Sequence, residues 1–462
     1  MMAGAIAVGL ILGLGLNPQP PGDDGAVAPG QVEGRPPLAD TSPIQKWIDS
    51  ATGPTVVVPA GTYRGDLFLD RSITLRAEGE VTLIGSGHGS VVRVRAPGVT
   101  IEGFIIDGQR GGDLGRDSSG IHVTGPDAVI RRCRIRNSLF GIYLRESSGT
   151  VVEDSEILGI PGLDPGEKGS GIHLWNSRGF RVERNVIRDV RDGFYVQSSN
   201  GGLIRGNRVR DIRYGLHYMF SDDNVFEDNI FENGAAGAAI MYSKRIVFRR
   251  NQFIRNRGFA SVGLLLKACD DIVAEDNLIA DNARGLFVEG SSRNLFRRNV
   301  VAGSDAAVVL YDSVDHQRFE SNSFVSNRTP LLLVGMRTDT VFTGNYYTGN
   351  LEPDLDGDGA SDRSYTLSSV FDHFRGNVIA ADLLVDTPAA EALGLAERTF
   401  PVLRQVAVAD AHPLAKPPLL SAVPVAGQAR GATSVLGVAI SFGLMLTALL
   451  GFRFGQRPGG LS

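Results

Sequence analysis

The four residues Gly-Ile-His-Leu at 171–174 return as Gly-Phe-Tyr-Val at 193–196, Gly-Leu-His-Tyr at 215–218 and Gly-Ala-Ala-Ile at 237–240. Each copy begins about 22 residues after the copy before it. Further copies of the pattern begin at Gly120, Gly141, Gly263, Gly285, Ala307 and Pro330. A fixed period of this length indicates a stacked array in which each repeat is one structural unit.

An asparagine follows the opening glycine at a constant distance in most repeats. The members of this column are Asn185, Asn207, Asn229, Asn251, Asn277, Asn299, Asn322 and Asn345. Asparagine tolerates a left-handed backbone, and its amide can bond the neighbouring repeat about 4.8 Å away. We therefore expect a left-handed bend at each asparagine and a ladder of hydrogen bonds along the column. A second turn column contains Asp189, Asp211, Asn233 and Asp281.

Apolar positions fill the gaps between the turn columns. One apolar column contains Val182, Ile204, Phe226, Phe248 and Phe296. Each repeat has three short apolar stretches, which fit three strands better than a pair of helices. The predicted fold is all-β, a right-handed parallel β-helix of the pectin-lyase type over 40–400, with a dozen coils at about 4.8 Å each. Leucine-rich repeats share the period, but their leucine-dominated consensus is absent here.

The open end of a solenoid has to be covered. The sequence Ser-Pro-Ile-Gln-Lys-Trp-Ile-Asp at 42–49 predicts a short helix with Ile44, Trp47 and Ile48 on one face. We expect this helix to cap the N-terminal end of the β-helix.

Both ends of the chain contain apolar segments outside the repeats. Residues 1–25 resemble a secretory signal without the usual preceding cation, and an unstructured terminus is the alternative. Residues 432–452 carry no charge and are long enough to span a bilayer as a helix, after a Pro-rich tether at 401–431. Two arginines in the tail, 453–462, place that tail in the cytoplasm and the β-helix outside. A helix buried against the solenoid is the alternative for 432–452.

Charge and cysteine content narrow the choice of partners. The chain has 46 basic and 51 acidic residues and a formal net charge of −5. Because no basic face emerges from the pattern, nucleic acid is not expected as a partner. The two cysteines, Cys133 and Cys269, fall on distant repeats, so a disulfide between them is not expected.

One face of the solenoid is predicted to present soft metal ligands. In the Gly-Ile-His-Leu strand the isoleucine and leucine point inward, so the histidine points outward. By the same alternation His217, Met219 and Met241 point outward from two adjacent coils. Thioether and imidazole are donors that Cu(I) prefers. The predicted copper ligands are His173, His217, Met219 and Met241.

The same outward columns carry aromatic residues, namely His122, Tyr143, Trp175 and Tyr195. Such residues are enriched in protein interfaces, so we expect them to dock a partner protein. Docking alone, docking with transient metal contact, and plain surface packing are the alternatives at this point.

An acidic loop follows the last repeat. Its carboxylates are Asp354, Asp356, Asp358 and Asp362, with a glycine at the sixth position. This spacing resembles a calcium loop, although the twelfth position is Tyr365 and not the usual bidentate glutamate. The predicted ligand is calcium, and a run of Asx turns is the alternative.

The sequence contains few patterns that are typical of catalytic sites. Polysaccharide lyases and epimerases with this fold would need clustered carboxylates on one strand face. The outward column here contains histidine, tyrosine, methionine and leucine instead. The expected function is therefore not enzymatic, and a carbohydrate-active β-helix enzyme is the alternative.

Several phrases resemble the nitrous oxide reductase maturation proteins of the NosD family. These phrases are Ile-Gln-Lys-Trp-Ile-Asp at 44–49, Val-Val-Val-Pro-Ala-Gly-Thr-Tyr at 56–63, Gly-Ile-His-Leu-Trp-Asn-Ser at 171–177, Arg-Tyr-Gly-Leu-His-Tyr-Met at 213–219 and Asp-Leu-Asp-Gly-Asp-Gly-Ala-Ser-Asp at 354–362. The resemblance extends over 42–413. One departure is Tyr-Tyr-Thr-Gly-Asn at 346–350, where the family pattern has Trp-Ser-Asp-Tyr.

The resemblance implies a periplasmic β-helix that works with an ABC transporter, made of the NosF ATPase and the NosY permease. It further implies a role in assembling the copper–sulfur centre of nitrous oxide reductase, with the copper chaperone NosL as another partner. Together with the segment at 432–452, it predicts a periplasmic protein anchored to the inner membrane.

Overall fold

The computed structural model describes residues 41–258, 261–400 and 408–418. The predicted signal segment at 1–25, the predicted membrane helix at 432–452 and the tail at 453–462 lie outside the described residues. Within the described part of the chain, each helix is too short or too polar to cross a membrane.

The described residues form a right-handed parallel β-helix of about 13 turns, which confirms the predicted fold. Each coil contributes one strand to each of three parallel sheets, called sheets 1, 2 and 3 in the order in which a repeat passes through them from its opening glycine. Some strands run through a corner from one sheet to the next.

Sheet 1 carries the outward face that concerns function. It contains β2 (Leu67–Leu69), β4 (Val92–Val94), β6 (Ser119–Val123), β9 (Phe140–Arg145), β12 (Ile172–Trp175), β15 (Asp192–Gln197), β22 (Val262–Lys267), β25 (Arg284–Glu289), β28 (Ala306–Tyr311), β31 (Thr329–Val334) and the second halves of β17 (Arg208–Met219) and β19 (Ile230–Met241).

Sheets 2 and 3 consist mostly of three-residue strands. Sheet 2 contains β7 (Val129–Arg131), β10 (Val151–Glu153), β13 (Arg181–Glu183), β16 (Leu203–Arg205), β18 (Val225–Glu227), β20 (Val247–Arg249), β23 (Val273–Glu275), β26 (Leu295–Arg297), β29 (Arg318–Glu320), β32 (Val341–Thr343), β35 (Ala409–Asp410) and the first halves of β1 (Thr55–Arg64), β3 (Thr74–Ile84) and β5 (Thr100–Asp107). Sheet 3 contains β8 (Arg134–Arg136), β11 (Glu156–Leu158), β14 (Val186–Arg188), β21 (Gln252–Ile254), β24 (Leu278–Ala280), β27 (Val300–Ala302), β30 (Ser323–Val325), β33 (Tyr346–Tyr347) and the remaining halves of β1, β3, β5, β17 and β19.

The core is a set of apolar columns that run along the solenoid. Successive coils place identical or similar side chains directly above one another, as predicted from the sequence. Phe226 stacks on Phe248 with ring centroids 4.9 Å apart, and Phe296 stacks on Phe319 at 4.5 Å. These rings are fully buried. Each coil therefore obtains its core contacts from the coils before and after it.

The asparagine column forms the expected ladder between sheets 2 and 3. The backbone N–H of Asn207 donates to Oδ1 of Asn229 at 3.0 Å, and the backbone N–H of Asn229 donates to Oδ1 of Asn251 at 3.1 Å. The expected left-handed bend at the asparagine is wrong by one residue. Positive φ occurs at the residue before it, such as Asp228 with φ of 55° and Arg250 with φ of 55°. The asparagine itself turns inward, because its amide has to reach buried backbone groups.

A second ladder was not anticipated from the sequence. Serine hydroxyls line the turn between sheets 1 and 2, where Ser199 N–H donates to Ser221 Oγ at 2.9 Å. The two cysteines replace ladder residues: Cys269 N–H donates to Ser291 Oγ in this ladder, and Cys133 N–H donates to Ser155 Oγ in the asparagine ladder. Both thiols are free and buried, and burial raises the pKa of Cys133 to about 11.

Helix α1 (Ile44–Ser50) covers the first coil, as expected. Ile44 and Ile48 are fully buried, whereas Trp47 is half-exposed and packs edge-on against Tyr63. The side chain of Gln45 provides the hydrogen bonds that a neighbouring strand would otherwise provide to β2. This side chain accepts from Phe68 N–H at 2.8 Å and donates to Phe68 C=O at 3.0 Å, so the open edge of β2 is satisfied.

The C-terminal end is closed by helices α2 (Val370–Asn377) and α3 (Pro388–Thr399) and by a returning segment, 408–418. Asp410 takes the next place in the asparagine ladder, and its Oδ2 accepts from Asn345 N–H at 2.9 Å. β35 pairs with β32 in parallel and with β34 (Tyr365–Thr366) in antiparallel orientation. Residues 408–418 were predicted to belong to a free tether; they pack on the solenoid because its last edge needs hydrogen-bond partners.

We expect Asn229→Leu to destabilise the protein. Asn229 accepts from Asn207 N–H at 3.0 Å and donates to Ile204 C=O at 2.8 Å, and leucine leaves both buried groups unpaired. The expected cost is on the order of 1–3 kcal/mol for each unpaired group. Thermal unfolding would show this as a lower midpoint. Asn229→Ser is the control, since Ser155 already serves in the same column; equal midpoints for both variants and wild type would contradict the ladder.

Candidate functional site

The outward face of sheet 1 contains a stack of alternating histidine and tyrosine rings. His122, Tyr143, His173, Tyr195 and His217 are register partners on successive strands. Their ring centroids follow each other at 5.0, 4.4, 4.4 and 4.9 Å. The predicted outward column is therefore one continuous aromatic array, which we call the ring ladder.

The ring ladder is much less accessible than the sequence led us to expect. Tyr143 is 3% exposed and His173 is 8% exposed. Nε2 of His122 and both ring nitrogens of His173 have no hydrogen-bond partner among the described residues. Burial lowers the pKa of His173 to about 3 and that of His122 to about 4. These imidazoles are therefore neutral throughout the physiological range.

The predicted copper ligands do not form a single group. Met219 and Met241 are direct register partners on adjacent strands, and His217 precedes Met219 by two residues on the same strand face. Two thioethers, of which that of Met241 is buried, and one imidazole therefore lie on the same face of two adjacent coils. His173 lies two coils away from His217, and the ring of Tyr195 lies on the coil between them. His173 is thus outside the reach of an ion held by the other three donors.

A buried ionic cluster adjoins His217. The carboxylate of Asp192, fully buried, accepts two bonds from Arg213, at 3.0 Å from Nε and 2.8 Å from Nη2. Nδ1 of His217 lies 3.3 Å from Oδ2 of the same carboxylate. Burial raises the pKa of Asp192, but the hydrogen bonds from His217 and Arg213 bring it below its usual range overall. The guanidinium of Arg213 also lies over the ring of Tyr214, at 4.4 Å from the centroid.

Asp192 and Arg213 were missed as site residues because the alternation of strand residues fails at the repeat glycine. A Cβ on Gly193 would collide with Val209 and lie 2.7 Å from the carbonyl oxygen of Gly215. Gly193 therefore faces the interior, as does Phe194 after it. Because Gly193 and Phe194 both face inward, the residue before them, Asp192, faces outward. The usable signal was the charge of Asp192 itself, directly before the glycine that opens the repeat.

Two exposed aromatic side chains lie in the middle of this face, Phe220 directly after Met219 and Trp175 two coils before it. Trp175 is 40% exposed and Phe220 is 50% exposed. Phe220 stacks on Tyr242 at 5.1 Å, and both residues have positive φ, which is unfavourable for bulky side chains. Of the predicted docking residues, Trp175 is the one with a largely accessible side chain.

The later coils of the same face are covered by α2. Thr329 on β31 donates to Asp372 at 3.0 Å, and Arg375 donates to Thr329 at 2.8 Å. Beneath this end an apolar cluster includes Leu265 and Phe287. The accessible part of the face is therefore its middle, around Trp175, Met219 and Phe220.

The acidic loop is folded on itself. Carboxylate oxygens of Asp354, Asp356 and Asp358 lie within 4.8 Å of one another. Each accepts from a nearby backbone N–H, for example Gly357 N–H to Asp354 at 2.7 Å, and Asp362 accepts from Leu355 N–H at 2.6 Å. Tyr365, at the twelfth position, stacks on Tyr347 in the C-terminal cap. The loop thus has the Asx turns of the alternative interpretation, and calcium binding stays a prediction.

Charges on the other two faces are largely neutralised by ion pairs between coils. Glu275 accepts from Arg249 and Arg297, each at 2.7 Å, and from Arg298 at 3.0 Å. On sheet 1 the outward carboxylates Asp192 and Glu289 are both paired as well. This distribution favours neither a nucleic-acid surface nor the carboxylate cluster of a carbohydrate-active enzyme.

The fold and the face together define a parallel β-helix with a soft donor set on one sheet. A model of the family described as periplasmic copper-binding protein (NosD) matches residues 159–352. The chain is also 35% identical over 387 residues to the probable ABC transporter binding protein NosD of Pseudomonas aeruginosa, covering 78% of this chain and 87% of that protein. The chain belongs to the NosD family, which confirms the resemblance seen in the sequence.

Two further comparisons agree with this. The protein of the same description from Stutzerimonas stutzeri is 32% identical over 388 residues, covering 78% of this chain and 86% of that protein. Among solved structures, the A-module of mannuronan C-5 epimerase AlgE6 from Azotobacter vinelandii is 17% identical, with a TM-score of 0.56 over 65% of this chain and 93% of that one. At this identity the likeness shows a shared fold alone.

The buried histidines predict a loss of stability in mild acid. Between about pH 4 and the ordinary imidazole pKa of 6.5, the unfolded chain binds protons that folded His122 and His173 do not. The free energy of unfolding therefore falls as the pH falls through this window, by up to about 1.4 kcal/mol per pH unit for each histidine. Replacing His173 by phenylalanine should flatten this dependence and raise stability, because the ring remains and its unpaired nitrogens are removed.

Unfolding midpoints measured between pH 5 and 7 test this expectation. His88→Ala, at an exposed histidine, is the control and should leave the pH dependence unchanged. A His173→Phe protein with the wild-type slope would show that His173 is already protonated or hydrated in the folded state.

Proposed function

We propose that this protein is an exported accessory protein for maturation of the copper–sulfur centre of nitrous oxide reductase. In this role it is a docking scaffold and copper relay and not an enzyme. Its partners are an ABC transporter, formed by the NosF ATPase and the NosY permease, the copper chaperone NosL and the reductase itself. Support comes from membership of a family described as periplasmic and copper-binding, and from relatives described as ABC transporter binding proteins.

The observation that carries the proposal is the register of Met219 with Met241 beside His217. Two thioethers and one imidazole form a donor set that suits Cu(I) and not the harder divalent ions. The side chain of Met219 is partly accessible, so an ion can enter and leave from the open middle of the face. Copper on this account is cargo that passes across the protein.

His173 has a separate part in this proposal. It lies two coils from His217, so it can hold an ion only in turn and not jointly with the methionines. Its unpaired, neutral nitrogens make it a second resting place within the ring ladder. A relay of this kind needs single weak sites at regular spacing, which the coil repeat provides.

Docking is assigned to the border of the same region. Trp175 projects into solvent between its register partners Arg145 and Gln197, and Tyr143 and Tyr195 lie two positions earlier on the same neighbouring strands. Aromatic anchors with a packed base are typical of residues that dominate binding energy in interfaces. The copper donors and the docking residues thus lie on one face, where a bound partner would cover both.

The double variant His217→Ala, Met219→Ala should bind Cu(I) more weakly than wild type while it keeps the circular dichroism of the β-helix. Competition with a chromophoric Cu(I) chelator under anaerobic conditions measures the affinity, and metal analysis of nitrous oxide reductase from cells measures loading. The matched control is His88→Ala, Met336→Ala, which removes the same side-chain types from exposed positions elsewhere. If both double variants bind Cu(I) like wild type, the copper assignment is wrong.

We further propose that residues 432–452 anchor the protein in the inner membrane. Removal of 432–462 should release part of the protein into the soluble periplasmic fraction, with the rest retained through docking to the permease. Cell fractionation with and without the permease gene tests both links. Aggregation of the shortened chain would indicate a buried helix instead, and complete release in the presence of the permease would remove the case for docking by the β-helix.

A further inference from the structure

Asp192 is a buried carboxylate that the solenoid does not require. Its register partner on the next coil is Tyr214, and the one after that is Ala236, so the fold accepts aromatic and small apolar side chains at this position. Removing a carboxylate from water is costly unless it is fully paired. Asp192 is paired with Arg213 at 2.8 Å, and Arg191 lies 3.5 Å from the same oxygen. A carboxylate that is buried here with its own cations therefore points to a purpose other than packing.

The pairing of Asp192 is fixed from two sides. Arg213 binds it through both Nε and Nη2, and the same guanidinium rests on the ring of Tyr214. Bidentate arginine contacts restrict the carboxylate to one orientation. The oxygen that Arg213 Nη2 binds, Oδ2, is also the atom that faces Nδ1 of His217.

The ring of His217 is held in place by its neighbours as well. It contacts the ring of Tyr195 on the preceding coil at 4.9 Å and the ring of Tyr214 on its own strand at 5.3 Å, edge to face in both cases. Asp192 lies opposite Tyr214, toward the beginning of the strand, whereas Met219 lies toward its end. A ring that turns Nδ1 to Asp192 therefore presents Nε2 on the side of the methionines.

We propose that Asp192 is a positioning residue for copper, which holds His217 as the Nδ1–H tautomer and so offers the lone pair of Nε2 to the ion. The proposal rests on the copper site proposed above. Histidines that bind metals commonly donate their other N–H to a carboxylate, which fixes both the tautomer and the direction of the ring. Arg213 completes the arrangement, because it balances the charge of Asp192 and keeps the carboxylate in place.

Asp192→Asn in the full-length protein tests this role. We expect Cu(I) to bind about 10–100-fold more weakly, as for other carboxylates behind metal-binding histidines. The matched control is Asp211→Asn, the same change at an exposed turn position with φ of 57°, and its affinity should equal that of wild type. A folded Asp192→Asn protein with wild-type affinity overturns the positioning role and leaves the copper site standing.

A second measurement does not depend on whether the variant folds. Long-range ¹H–¹⁵N spectra of wild-type protein labelled in histidine, without metal, report the tautomer of His217, which is assigned by its absence in His217→Ala. The proposal expects a proton on Nδ1 and none on Nε2; a proton on Nε2 overturns it. Equal Cu(I) affinity of wild type and His217→Ala would instead overturn the copper site itself, and the positioning role with it.

Discussion

Hydrogen bonding of one coil to the next is the interaction on which the rest of the structure depends, because a single coil cannot bury its own apolar side chains. Along the sheets the backbone supplies these bonds. At the corners the backbone groups turn toward the core, and the amide of an asparagine such as Asn229 replaces the missing partner. The ladder continues with Ser155 and Cys133 toward one end and finishes at Asp410 toward the other. The ladder of hydrogen bonds therefore continues toward both ends of the solenoid, with serine, cysteine and aspartate in place of asparagine.

This constraint also decides where function can be located. Coils in strict register place equivalent side chains about 4.8 Å apart, so any donor repeated on two coils becomes a pair. On sheets 2 and 3 the repeated side chains are arginines and glutamates, which neutralise one another, as around Glu275. On sheet 1 the repeated pair is Met219 and Met241, which have no such complement. In the proposed function, a soft ion such as Cu(I) is the ligand that this pair of thioethers suits.

The period of the sequence was sufficient to predict the β-helix, its asparagine ladder and the orientation of the ring ladder. Two features could not be predicted from the period, because they depend on the three-dimensional arrangement of the chain. The repeat glycine takes an additional inward position, since a Cβ on Gly193 would meet Val209, and this hid Asp192 from a rule of alternation. The return of residues 408–418 depends on a two-residue strand, β35, whose partners are distant in sequence. The charge beside the repeat glycine was the one local signal for Asp192, and β35 has no local pattern by which it could be recognised.

The three histidines of the ring ladder differ in the way that a relay requires. His122 and His173 lie among aromatic rings, and burial together with nearby arginines lowers their pKa values; neither ring has a hydrogen-bonded carboxylate among the described residues. His217, in contrast, faces Asp192 and adjoins the methionines. A carboxylate that accepts from one ring nitrogen fixes the tautomer of the imidazole and raises the basicity of the other nitrogen, and His217 alone of the three faces one. In the relay proposed above, the affinity for copper is therefore expected to be highest at His217, beside the thioethers, and this difference would give the transfer of copper a direction.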